Sequence, residues 1–169
     1  SRALLEIKTN VVTVSYGLDC LEYARRTSAA ERAESILRKM AASDDKDVQP
    51  NVVSYNSVIK AWSFTRDPQA VPRVTALLKE LLDQAEAGNP KMRPNANTFG
   101  GVLKTLADSH VPDKEKRAKV VVNLMEKYGI EMKDWIRNQL EKCTHGGNGP
   151  RHDGKKKLEV PQVPDLKYS

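Results

Sequence analysis

The sequence predicts an all-α fold, an α-solenoid of helical hairpins with an irregular basic C-terminal tail. Three observations carry this. The chain repeats itself without gaps, its apolar residues recur at the spacing of one helix face, and strand signals are missing, with no Asn-Gly hairpin and no alternating run. Shifted from Pro50 to Pro94, Pro50-Asn51 meets Pro94-Asn95, Ser54-Tyr55 meets Thr98-Phe99, Val58-Ile59 meets Val102-Leu103, and Lys60 meets Lys104. Arg73 then meets Arg117 and Leu81 meets Met125. Shifted from Asn10 to Asn51, Asn10-Val11-Val12-Thr13 meets Asn51-Val52-Val53-Ser54, and Ile36-Leu37 meets Leu77-Leu78.

The elements follow in chain order. Residues 1–9, with the run from Arg2 to Ile7, read as the end of a preceding helix or a cap. Three units follow, at about 10–50, 51–94 and 95–133. Each reads as two helices. Tyr55, Val58, Ile59 and Trp62 give the i, i+3, i+4, i+7 stripe of an amphipathic first helix, repeated by Phe99, Val102, Leu103 and Leu106. Val14, Gly17, Leu18 and Leu21 are a poorer copy. Second helices are marked by Ala33, Ile36, Leu37 and Met40, by Val74, Leu77, Leu78 and Leu81, and by Ala118, Val121, Val122 and Met125.

Boundaries agree with the stripes. Asn10, Asn51 and Asn95 stand where an N-cap accepts from free backbone N–H groups. Ser28 with Glu31 reads as a capping box opening the second helix of unit one, and Asp67-Pro68 as a cap and first-turn proline opening that of unit two. Residues 134–144 form a terminal capping helix anchored by Trp135, Leu140 and Cys143. Residues 145–169 are an extended Gly/Pro/Lys tail without helical period.

Composition narrows the function classes. The 169 residues carry a net charge of +6 and an isoelectric point near 9.3, which favours polyanionic partners. Aromatic residues are only 5%, too few for many base-stacking platforms. No apolar run approaches the ~18 residues that span a bilayer. Ser1 reads as the start of a processed chain or a fragment, with any targeting segment out of view. Cys20 and Cys143 form no CxxC pair, and His110, His145 and His152 have no Cys or carboxylate at metal or triad spacing. Neither catalysis, nor a cofactor, nor a metal, nor a small-molecule substrate is expected.

The units resemble the pentatricopeptide repeat, a helical-hairpin family of mitochondria and chloroplasts. The resemblance rests on PNVVSYNSVIKAW followed by AVPRVTALLKEL, on PNANTFGGVLKTL followed by KRAKVVVNLMEKYGI, and on TNVVTVSYGL followed by AAERAESILRKM. These units run 41 and 44 residues against about 35 in the family, with the surplus in AASDDKDVQP and LDQAEAGNPKMRP between hairpins. The resemblance implies that each repeat reads one RNA base with two side chains, the fifth residue of its first helix and the last residue of the unit. By resemblance those are Ser15 with Asn51, Asn56 with Asn95, and Gly100 with roughly Lys133. Ser with Asn implies adenine and Asn with Asn a pyrimidine; Gly with Lys is not a readable pair. Val52 and Ala96 would flank a base with apolar side chains.

Each of these residues has a plainer reading as well. The asparagines suffice as helix caps, and Lys60 and Lys104 face either phosphate or water. Lys155, Lys156 and Lys157, with Arg151, form either a phosphate- or partner-contacting arm or a solvated tail. Stacking contributes ~1–3 kcal/mol per base, so three repeats reach at most ~9 kcal/mol before ordering costs, and micromolar binding needs about 8 kcal/mol. A larger assembly or further repeats are therefore expected. The expected function is a non-catalytic RNA-associated adaptor in an organellar ribonucleoprotein such as a mitochondrial or plastid ribosome, binding single-stranded or ribosomal RNA, with the tail held by other protein subunits. The alternative is a protein-interaction scaffold without RNA contact.

Overall fold

The structure is a computed structural model that describes residues 24–45 and 47–144. The expected N-terminal cap, the first helix of unit one and the tail lie outside the described residues. Regular structure among the described residues is helical throughout: α1 (24–41), α2 (Val52–Ser63), α3 (Ala70–Glu86), a 3-10 turn (Pro90–Met92), α4 (Ala96–Ala107), α5 (Lys114–Lys127) and α6 (Asp134–Thr144).

The two best copies of the first helix start identically. Asn51, in extended conformation, accepts from the amides of Val53 and Ser54 at 2.9 and 3.0 Å, while the Ser54 hydroxyl accepts from the Asn51 amide. Asn95 and Thr98 repeat this closed capping box at the head of α4. Such a cap contributes roughly 1 kcal/mol by satisfying amides that the helix cannot. Both helices then bury the expected stripe, Tyr55, Val58, Ile59 and Trp62 in α2 and Phe99, Val102, Leu103 and Leu106 in α4. α3 and α5 end alike too. The amides of Gly88 and Asn89 return to the carbonyls of Ala85 and Gln84, and those of Gly129 and Ile130 to Glu126 and Met125. This closure needs a left-handed residue, which Gly88 (φ 88°) and Gly129 (φ 66°) supply without a Cβ penalty.

The first helices α2, α4 and α6 stack side by side, with α3 and α5 packed behind them. α6 buries Ile136 and Cys143, spaced like Tyr55 and Trp62, and packs against α4 and α5 as α4 packs against α2 and α3. It therefore occupies the place of a first helix. α1 joins the core through Ala30 and Leu37 and through Glu34, which is buried. Its carboxylate accepts from the indole N–H of Trp62 at 2.9 Å and from the Arg73 guanidinium at 3.3 Å.

Several local expectations are corrected. α1 already runs from residue 24 and passes through Ser28, whose carbonyl accepts from the Arg32 side chain instead of the residue capping a helix. The Ala- and Arg-rich stretch around it forms helix well enough that one serine does not stop it. α3 begins at Ala70, because Asp67 caps a turn at Pro68-Gln69 by accepting from the Gln69 amide at 2.8 Å. Ile36 is 60% exposed and Glu34 takes its expected place inside. The surplus in the 51–94 unit is structured: α3 continues to Glu86, and the 3-10 turn plants Met92 in the core.

Candidate nucleic-acid interface

The residues singled out between Asn51 and Lys104 lie along α2 and α4, but not all on their exposed sides, since Gly100 is buried and Val52 and Ala96 pack against the core. Asn56 and Asn95, one on each helix, touch. The Asn56 side-chain nitrogen donates to the Asn95 side-chain oxygen at 3.1 Å. The Thr98 hydroxyl donates to the Asn56 oxygen at 2.7 Å. Asn56 and Asn95 are half-buried, while Thr98 is fully buried. Asn95 is thus a helix cap and the partner of the fifth residue of α2 at once. Asn51 is an exposed cap; its expected partner Ser15 lies outside the described residues.

The flanking residues divide. Val52 and Ala96, expected to flank a base, are partly buried and pack against the core, since the first helical position turns inward here. Val53 faces outward at 64% exposure. Lys60 is exposed, one helical turn beyond Asn56. Lys104 is more constrained: its ammonium donates to Asp108 at 2.6 Å and lies 5.0 Å from the Phe64 ring centroid. Gly100, the fifth residue of α4, is buried beneath the Trp135 indole, and a Cβ there would come within 2.0 Å of the ring. Gly100, expected from the resemblance to read a third base, is therefore covered by an aromatic side chain from α6. Trp135 itself is 41% exposed. Lys155, Lys156, Lys157 and Arg151 lie outside the described residues.

Sequence reasoning missed the second task of Thr98, the Trp135 cover and the outward Val53. The signal for the first two was available. Thr98 follows Asn56 across one unit, and Trp135 stands one residue before Ile136 just as Thr98 stands one before Phe99. Reading that required knowing how α6 is registered against α4.

The remaining chemistry of the described residues is sparse. Burial pushes the Cys143 thiol up to about 11, which keeps it protonated and a poor nucleophile at neutral pH. No group of three or more His, Cys, Asp or Glu among the described residues could hold a metal ion, and no helix there is long and apolar enough to cross a membrane.

The pentatricopeptide repeat domain model matches residues 5–62 and 35–109, together more than half of the chain. The chain belongs to the pentatricopeptide repeat family. No curated protein and no solved structure gives a significant match. As a pentatricopeptide repeat protein, the chain falls in a generally non-catalytic family that acts through RNA or protein partners and is commonly organellar. The two matches overlap at residues 35–62, so the family pattern runs through α1, α2, α3 and α4.

Proposed function

We propose that this pentatricopeptide repeat protein is an RNA-associated adaptor of an organellar ribonucleoprotein complex, in a mitochondrion or a chloroplast. It engages single-stranded RNA on the faces of α2 and α4, and protein subunits elsewhere. The unit boundaries at about 50 and 94 then mark successive bases. The observation that carries this reading is the Asn56–Asn95 pair, which sets the two family reading positions side by side at one junction with amide N–H groups to spare. Lys60, exposed one turn away, supplies a phosphate contact. One such reader is too weak to select a site alone, which fits a subunit whose RNA is also held by its neighbours.

The test is binding of the full chain to 12-mer single-stranded RNA followed by fluorescence polarisation, at about 50 mM and about 200 mM salt. Binding at low salt that weakens at high salt, and that weakens roughly fivefold in Asn56→Ala, is the expected result; one net hydrogen bond of about 1 kcal/mol sets that size. Absence of binding at low salt sinks the RNA reading. It would favour the second reading, a protein-interaction scaffold. Specific observations speak for that one: Gly100 is covered, Lys104 is tied to Asp108, and Val53, Phe64 and Trp135 offer exposed apolar surface.

A further inference from the structure

We infer that Trp135 is a stacking platform for one nucleobase of a single-stranded RNA at the α4–α6 junction, holding the base by its ring and without regard to its identity. The inference rests on the RNA-binding reading above. The fifth residue of α4 is Gly100, which has no side chain to offer a base, and the Trp135 indole lies in its place. A Cβ on Gly100 would stand 2.0 and 2.1 Å from the ring atoms Cη2 and Cζ3 but 3.2 Å from Cζ2. Distances that climb so fast across a flat ring put the glycine at its rim, not over a face. Gly100 thus seats the indole edge-on and covers neither of its faces. The side chain stays 41% exposed. No other ring and no cation stacks on it among the described residues, and its indole N–H has no hydrogen-bond partner there. Trp62 differs on every count, being 1% exposed with its N–H spent on Glu34.

The surroundings of the ring suit a base better than a protein surface. Lys133, Asp134, Arg137 and Asn138, the exposed neighbours of Trp135 in the chain, are all charged or polar. Trp135 is the one large hydrophobic residue exposed on α6. A protein interface wants a contiguous apolar patch, whereas a base needs a single ring. Cations stand ready for the phosphates on either side of that base. Lys133 is exposed and has no partner among the described residues. Arg137 is exposed as well, and its pair with Asp134 is loose, at 3.8 Å on the surface. In the register that sets Ile136 level with Phe99, Arg137 takes the place on α6 that Asn56 and Gly100 hold on α2 and α4. Every base has a π-face, so the α4–α6 junction grips without discriminating. The RNA track then continues one unit beyond the Asn56–Asn95 pair.

The test follows indole emission as 12-mer single-stranded RNA is added to the full chain at low salt. A base stacked on Trp135 is expected to quench the emission, with Trp62 out of reach, while inorganic polyphosphate leaves it unchanged. Trp135→Leu keeps an apolar cover over Gly100 but no aromatic face. It should lose the quench and weaken binding roughly tenfold, to a similar extent for oligouridine and oligoadenosine. Trp135→Phe, which keeps a ring, should weaken binding by about threefold or less. RNA that binds without quenching, or that binds Trp135→Leu as tightly as wild type, overturns the platform while RNA binding stands. Quenching by polyphosphate as well traces the signal to charge and also overturns it. A chain that binds neither oligomer overturns both this inference and the RNA reading. Should Trp135→Leu release α6, the wild-type emission under RNA and under polyphosphate decides alone.

Discussion

Glu34 carries the buried hydrogen bond between α1 and α2. A buried carboxylate is costly unless its oxygens are occupied. Here one oxygen takes the Trp62 indole N–H, and the other takes Arg73 and, at 3.5 Å, Arg38. Both arginine side chains are about half exposed, so their charge is screened and contributes modestly. The indole bond is the fully buried part and dominates. Arg38 also pairs with Glu80, whose carboxylate raises the Arg38 pKa, while burial, and after it the Glu80 carboxylate, raises that of Tyr55. Glu34→Ala is expected to cost about 2–3 kcal/mol, because it removes a charge-assisted bond and leaves the indole donor unsatisfied. Glu34→Gln keeps an acceptor for the indole and should cost roughly half as much. Urea unfolding measures both. A wild-type midpoint for Glu34→Ala would mean that the indole bond adds nothing.

At the scale of elements, α4 meets α2 and α6 through neighbouring glycines. A Cβ on Gly101 would come within 2.7 Å of the Ile59 methyl, and one on Gly100 would strike the far edge of the Trp135 ring. The two contacts look alike in sequence but differ in compliance. Ile59 is fully buried among α2 core residues and has nowhere to go, whereas Trp135 is part-exposed and can swing out. Alanine in place of a helical glycine gains up to about 1 kcal/mol of propensity. Overpacking a rigid core costs about 1–3 kcal/mol. Gly101→Ala should therefore be net destabilising, by roughly 1 kcal/mol, while Gly100→Ala should be close to neutral and expose the indole. Thermal melts rank the two variants. Trp135 emission, read in a Trp62→Phe background, should shift to the red in Gly100→Ala alone.

On the scale of the whole molecule, what could be read from the sequence was what one helix decides for itself. The stripe Tyr55–Trp62 and the Asn51 and Asn95 caps depend on residues within a few positions of each other, and the structure has them in place. What was not legible depends on how helices are registered. Whether Ile36 or Glu34 faces inward, that Asn56 meets Asn95 and Thr98, and that Trp135 covers Gly100 all follow from neighbours about 40 positions apart. Inter-helix register of that kind overrides propensity and leaves no local mark. The same organisation makes stability a sum of neighbour contacts, and so local damage should stay local. Among the described elements, α6 packs chiefly against α4 and also against α5, and Ile136 is fully buried. Ile136→Asp sets an unpaired carboxylate there, and α6 should undock rather than bury it. Hydrogen exchange is then expected to rise across Asp134–Thr144 and on the α6-facing side of α4, with Trp135 emission shifting to the red. Amides of α2 and α3, held by Glu34 and by their own core, should keep their protection. Uniform loss of protection from α1 to α6 would instead show that the described helices form one cooperative unit, and that α6 supports the distant Asn51 and Asn56 as firmly as it covers Gly100.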